Sequence, residues 1–376
     1  MSQKRPLNRR NLLKQAALGA AAGAVASCGG GGDSGPAVQT MPRLNWRLAS
    51  SFPRSLDTIF GAAEVLAEVA EKLSEGRFRI RCYPQGELVP GLQVLDAGQQ
   101  GTVQLGHTAG YYYTGKNPAL AFDTAVPFGL DSRQQTAWLT EGGGGELIDE
   151  LLSDFGMLAL PAGNTGAQMG GWFRREVGST SDLRGLKMRI PGLGAQVMSE
   201  LGATVQTLAG GEIYPALERG AIDATEWVGP YDDEKLGFHR VARYYYYPGW
   251  WEPGPNLSVY INRQAWDSLP AIYRDILRAA AETAHRTMQA RYDALNPPAV
   301  ERLIADGVQL RPFADDILAA AQTTSRELME QEAAKNAGYR KIYDAWRAFR
   351  ESAHHWWGTA ELAYARFAYR DRQAAP

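Results

Sequence analysis

The sequence predicts an α/β protein of two related lobes followed by long C-terminal helices. Three observations predict it. From Leu44 onward short strands alternate with amphipathic helices, and the same order recurs after residue 180. The 376-residue chain, less an N-terminal leader, leaves roughly 345 residues, more than one ordinary core organises.

The first lobe opens with "LNWRLAS", where Leu44, Trp46 and Leu48 share one face at period two, the mark of a strand. Asp57 to Ser74 carries Ile59, Phe60, Ala63, Leu66, Val69, Ala70 and Leu73 at helical spacing, closed by Gly76. Arg77–Tyr83 reads as a second strand, Gln93–Gln100 as a helix broken by Gly101, and Val103–Gly106 as a third strand. This βαβα run implies a parallel sheet with helices packed on it.

The order returns with "LKMRI", a helix from Gln196 to Leu201, "ATVQT", a helix from Glu212 to Arg219, and "AIDATEW". Aligning Gly101 with Gly220 lays "VLDAGQQGTVQLGH" over "IYPALERGAIDATE" and sets His107 opposite Glu226. Ligands gather beyond the carboxyl ends of parallel strands. Glu226 and Trp227, side by side where a strand runs out, therefore stand at an expected cleft wall. Ile272–Leu295, Ala314–Lys335 and Tyr339–Tyr369 read as helices. The last carries Ile342, Trp346, Phe349, Trp356, Leu362 and Phe367, an apolar set that either packs on the lobes or docks on another subunit.

The leader has Lys4, Arg5, Arg9, Arg10 and Lys14 ahead of an Ala-rich run from Ala16 to Ala26, the layout of a secretory signal. "NRRNLLK" resembles a twin-arginine export signal. Two exits compete: "AVA" at Ala24–Ala26 suits soluble release, and "VASC" resembles a lipoprotein box with Cys28 lipidated. With Cys28 removed or lipidated, Cys82 is left alone and no disulfide frame exists. Cys82 alternates with Phe78 and Ile80 and reads as a small buried apolar side chain. A net charge of −2 without a basic block excludes nucleic acid as a partner class.

The sequence has no GxSxG, HExxH, Walker loop or dinucleotide fingerprint. "EGGGGELIDE" reads as a loop capping a helix, not a phosphate cradle. None of the five histidines forms a metal pair. Arg189 ends the "LKMRI" strand before Pro191–Gly192 and reads in two ways. It is a fork that grips a carboxylate over the sheet edge, or a surface arginine paired with a neighbouring acid. Gln168, between glycines in "GNTGAQMGGWF", is a ligand-facing amide or a loop glutamine. Trp250, Trp251 and Glu252 in "YYYYPGWWEPGP" form a pocket wall, a packed hinge or simple core.

Together "RGLKMRIPGLGAQVMSELGATV", "EIYPALERGAIDATEWVGPYDD", "LVPGLQVLDAGQQGTVQLGH" and "YYYTGKNPALAF" resemble the solute receptors of tripartite ATP-independent periplasmic (TRAP) transporters, over roughly residues 44–340. "GAQMGGWF", "ATEWVGPYDD" and "YYYPGWW" look like the subgroup that binds 2-oxo acids with a metal cation. The resemblance implies a hinged, two-lobed periplasmic-binding-protein architecture that captures a small 2-oxo or 2-hydroxy carboxylate without catalysis. It also implies TRAP membrane permease subunits as partners.

Arg189 matches the arginine that grips the substrate carboxylate. Gln168, Glu226 and the carbonyl of Trp227 match the cation ligands, and Trp227 would stack on the organic part. Glu252 is added as a fourth cation ligand, and Tyr112 is preferred among Tyr111–Tyr113 as a ligand contact. Oxygen ligands select a hard cation. With Glu226 alone, monocarboxylate, arginine and Na⁺ balance; with Glu252 as well, Ca²⁺ does.

These readings divide the chain into a signal peptide at 1–28 and a linker at 29–43. One lobe takes 44–166 and 255–294, and the other 167–254 and 295–338. Residues 339–376 form a C-terminal helix that joins a homodimer. The competing reading is a twin-arginine-exported periplasmic enzyme acting on an organic acid.

Overall fold

The computed structural model describes residues 41–370. The leader, its two exits and Cys28 lie outside the described residues, as do the last six positions. The strands form two sheets. The first orders β2-β1-β3-β10-β4, with β1 at Leu44–Ser50, β2 at Phe78–Tyr83, β3 at Leu105–Thr108, β4 at Met157–Asn164 and β10 at Asn256–Asn262. The second orders β11-β9-β5-β8-β6-β7. Here β5 is Trp172–Phe173, β6 Lys187–Arg189, β7 Thr204–Gln206, β8 Ala224–Thr225, β9 Tyr244–Tyr247 and β11 Gln309–Pro312.

The repeat read from the glycines is present in the topology. In the first sheet β1 pairs in parallel with β2 on one side and β3 on the other. In the second, β6 pairs in parallel with β7 and β8 in the same arrangement. The intervening helices also correspond: Ile59–Leu73 and Val94–Gln99 in one, Gly192–Glu200 and Gly210–Glu218 in the other. Gly101 and Gly220 hold matching left-handed conformations, φ +70° and +69°, where each helix stops. An antiparallel strand then follows in each sheet, β10 beside β3 and β5 beside β8.

The chain passes between the two sheets three times. Residues 165–171 lead from β4 to β5, residues 248–255 lead from β9 to β10, and the helix Ala271–Ala305 leads on to β11. The first two passages are cross-linked. Thr165 N donates to Pro255 O at 3.3 Å, Gln168 N to Glu252 O at 3.2 Å, and Gly249 N to Gln168 O at 3.0 Å.

Some elements differ from the reading above. The helix expected to end at Leu295 runs on to Ala305, through Pro297 and Pro298. Two missing N–H donors argue for a stop there, but Ala299 and Leu303 are buried and packing holds the helix. The final helix is two, Ala337–Thr359 and Glu361–Ala368, parted at Ala360. Its apolar residues divide: Ile342 and Trp346 pack on the body, while Trp356, Leu362 and Phe367 are exposed. Cys82 is half-buried, not fully buried; burial pushes its thiol up to about 12 and leaves it inert. Gly143 takes the left-handed N-cap of the helix Gly144–Ser153, as the glycine run implied.

Candidate functional site

Strand register sets the first two site residues. Arg189 is the last residue of β6 and pairs with Thr225 of β8, so Glu226 follows directly beside it. Glu226 N donates to Arg189 O at 3.3 Å. Both side chains are 1 % exposed, and the guanidinium Nη1 donates to the Glu226 carboxylate. The surface reading of Arg189 is thereby excluded: Lys187, its neighbour on the same face, is exposed, while Arg189 turns inward at the strand end.

Three further contacts shape the arginine. Nε donates to Leu208 O at 3.0 Å and Nη1 to Glu226 O at 3.2 Å. Its Cζ lies 5.2 Å from the Trp227 ring centroid, a cation–π contact. Nη2 is buried without a partner. A buried donor left unpaired is costly, so this atom is a candidate donor to a ligand.

The passages between sheets bring the other residues. Glu252 is 3 % exposed and Gln168 5 %. Tyr111 OH donates to Glu252 Oε2 at 3.3 Å. The Gln168 amide donates to Thr165 Oγ1 at 3.3 Å, while its Oε1 is buried without a partner. Tyr111 and Tyr112 arrive from the first sheet, edge to face at 5.0 Å. Tyr112 is half-buried and, like Tyr111, feels the charges of Arg189, Glu226 and Glu252, so both tyrosines face the site. Gly192, at φ +66°, lets the turn after β6 approach Tyr111: a Cβ there would lie 2.9 Å from the tyrosine Cβ.

Electrostatics bind the cluster together. Burial works against the Arg189 charge, but Glu226, the two tyrosines and Glu252 raise its pKa overall. Burial pushes Glu226 up, against the pull of Arg189. Burial and then repulsion from Glu226 hold Glu252 well above the usual carboxylate range. One arginine thus faces two carboxylates, and the second carboxylate lacks a countercharge.

The donor set fits a hard cation: two carboxylates and an unpartnered amide oxygen are all oxygen. Among the described residues no group of three or more His, Cys, Asp or Glu side chains is placed to hold a metal, so a thiolate–imidazole centre does not fit. Trp250 and Trp251 are buried in the second sheet's core with Met188, Ile190 and Phe313, and Phe128 packs against that core.

Sequence reasoning missed two supporting groups. Phe52 meets Trp227 at 6.5 Å and Tyr112 at 6.4 Å, closing the aromatic wall from the first sheet. Asp233 Oδ2 accepts from Trp172 Nε1 at 2.9 Å and Tyr245 OH at 2.7 Å, and Oδ1 accepts from Val228 N at 3.3 Å. It thereby holds the 226–228 segment. The paired acids after Gly229–Pro230 were the available signal, and they read equally as helix N-terminal charges.

Residues 49–336 match the bacterial extracellular solute-binding protein family 7. The chain belongs to this family. This solute-binding protein is 53 % identical over 363 residues to a monocarboxylate 2-oxoacid-binding periplasmic protein of Nostoc sp. (strain PCC 7120), covering 96 % of this chain and 99 % of that one. It is similar in structure to a TRAP transporter solute binding protein from Bordetella bronchiseptica RB50, with a TM-score of 0.87 and 44 % identity over 89 % of this chain and 100 % of that one. That protein is a mixed-occupancy dimer, one active site holding copurified calcium and picolinate. A TRAP periplasmic solute binding protein from Pseudoalteromonas atlantica T6c, holding sodium and pyruvate, matches with a TM-score of 0.84 and 38 % identity, over 86 % and 99 % of the two chains. The α/β, two-lobed architecture of this TRAP solute-binding protein agrees with the fold the sequence predicts.

Proposed function

We propose that this TRAP receptor captures a small 2-oxo monocarboxylate outside the cytoplasm, by an arginine and a bound cation acting together, and hands it unchanged to membrane permease subunits. The observation that carries the reading is the buried Arg189–Glu226 pair beside Glu252 and Gln168, with Arg189 Nη2 and Gln168 Oε1 both unpartnered. Arg189 Nη2 would take one carboxylate oxygen. Gln168, Glu226, the Trp227 carbonyl and Glu252 would hold Na⁺ or Ca²⁺, whose charge offsets the ligand and the second glutamate. Trp227 and Phe52 would cover the organic part, and Tyr112 would donate to the bound acid.

The ligands of the related proteins support a substrate class. Pyruvate and picolinate differ in size and ring character, yet each places a lone-pair donor one atom from a carboxylate carbon. That arrangement lets a ligand share a cation through two atoms and still offer a carboxylate oxygen to Arg189. We therefore infer that the site selects carboxylates with a donor at the α position. Affinity ranking pyruvate and picolinate above acetate and propionate, and lost on chelation, is the expected result of a thermal-shift screen. Equal shifts with acetate, unaffected by chelator, would remove the reading. Native mass spectrometry of the protein as purified reads the cation by mass.

The lobes at 44–166 with 255–294 and at 167–254 with 295–338 would close on the ligand about residues 165–171 and 248–255. The leader at 1–28 would direct export by the twin-arginine route, with Cys28 a candidate lipid anchor and 29–43 the tether. The exposed face of the final helices, with Trp356, Leu362, Tyr364, Phe367 and Tyr369, would join two copies. Removing residues 361–376 should then give monomers by light scattering; a dimer surviving that truncation speaks against this contact.

A further inference from the structure

Phe128 has a backbone that a bulky residue adopts only under constraint: its φ is +54°, in the left-handed region. Contacts on two sides impose it. Arg350, on the helix Ala337–Thr359, donates from Nε and Nη2 to the Phe128 carbonyl at 3.0 and 2.8 Å. On the other side Phe128 N donates to Trp250 O at 2.8 Å, and the two rings stack at 5.3 Å with 14° between planes.

Trp250 belongs to the turn 249–252. Glu252 N donates to Gly249 O at 3.1 Å within that turn, and Gln168 is bonded to it twice, through Glu252 O at 3.2 Å and Gly249 N at 3.0 Å. The unbroken series of contacts is therefore Arg350, Phe128, Trp250, then Glu252 and Gln168. Arg189 and Glu226 are placed differently, by sheet register and by Asp233, which holds the segment after Glu226.

We propose that Arg350 is a positioning residue for the cation half of the site. Its planar fork fixes the Phe128 carbonyl, Phe128 fixes Trp250, and the turn then presents Glu252 and Gln168 at one spacing. A lysine cannot reproduce the two-donor grip on one oxygen. Outer partners of this kind set the affinity of a metal site by orienting its ligands. The proposal rests on the reading of Glu252 and Gln168 as cation ligands.

The test is calcium titration of the full-length protein in the presence of pyruvate by calorimetry, with thermal unfolding recorded alongside. Arg350→Lys should lower calcium affinity by about tenfold, and Arg350→Met by more. Arg347→Met, on the same helix and paired outward with Glu330 and Asp344, should bind as the wild type does. In a Glu252→Gln background the Arg350→Lys penalty should shrink toward nothing, because both changes act on one ligand. A lower melting temperature for Arg350→Lys with unchanged calcium affinity would overturn the proposal and leave the cation reading intact. A wild type whose pyruvate binding ignores calcium and sodium would overturn both.

Discussion

The two halves of the candidate site stand on different kinds of backbone. Arg189 and Glu226 occupy the carboxyl ends of parallel strands, where the pairing of Arg189 with Thr225 sets their spacing. Gln168 and Glu252 sit on the two passages between sheets, where single hydrogen bonds and the packing of Phe128 on Trp250 set theirs. The difference separates two tasks. On the proposed reading, a sheet-borne arginine would give a rigid grip on a carboxylate. Gln168 and Glu252 would keep their spacing only while that packing holds, which makes theirs the adjustable half of the proposed site and suits a cation whose coordination tolerates variation.

The largest expected effect breaks the rigid half. Arg189→Ala should weaken pyruvate binding by at least about a hundredfold, since a desolvated, charged hydrogen bond pair is lost. It should also lower folding stability by about 3–5 kcal/mol, because Glu226 is left buried and unpaired. Calorimetry and chemical unfolding read the two effects separately, and retention of binding within a few-fold would deprive the strand ends of their role.

Next comes the adjustable half. Glu252→Gln should cost tenfold or more in calcium-supported binding, in line with loss of a charged ligand, while sodium-supported binding stays near that of the wild type. Glu226→Gln should weaken both. Equal losses with the two cations for each variant would erase the distinction between the halves. Smaller still is Tyr111→Phe, which removes the hydrogen bond from the first sheet to Glu252. It should cost about 1 kcal/mol, roughly fivefold in affinity.

The smallest effect on binding is expected at His107, whose change acts on stability alone; it occupies on β3 the post that Glu226 occupies after β8. Burial holds His107 neutral, with its pKa lowered from 6.5 to about 3. A depressed histidine contributes stability above 6.5 and loses it as pH falls toward 3. His107→Asn, whatever its offset at pH 8, should therefore gain on the wild type by up to about 1.4 kcal/mol per pH unit on acidification below 6.5. Parallel stability curves for the two proteins would show that His107 is not held neutral by its burial.

The same contrast explains what was legible in the sequence. The repeat, both parallel triplets of strands and the post of Glu226 followed from periodicity and from Gly101 and Gly220, because strand ends obey a general rule. The burial of Arg189 did not follow from its spacing, because Lys187 shares its face and is exposed; only the resemblance argued for it. Gln168 and Glu252 were nominated from glycine-rich and aromatic context, yet 84 positions part them and nothing local announces their pairing. Phe128 and Arg350 were invisible, since a positive φ at a phenylalanine has no compositional mark. The final helix was overextended because its apolar spacing continues across Ala360 without a breaker.

The central claim is that arginine and cation hold the acid jointly. Pyruvate titrated calorimetrically into protein stripped by chelator, in sodium-free buffer, tests it most directly. The account predicts no measurable binding until Ca²⁺ or Na⁺ is restored. Binding of undiminished affinity in the stripped protein would contradict it.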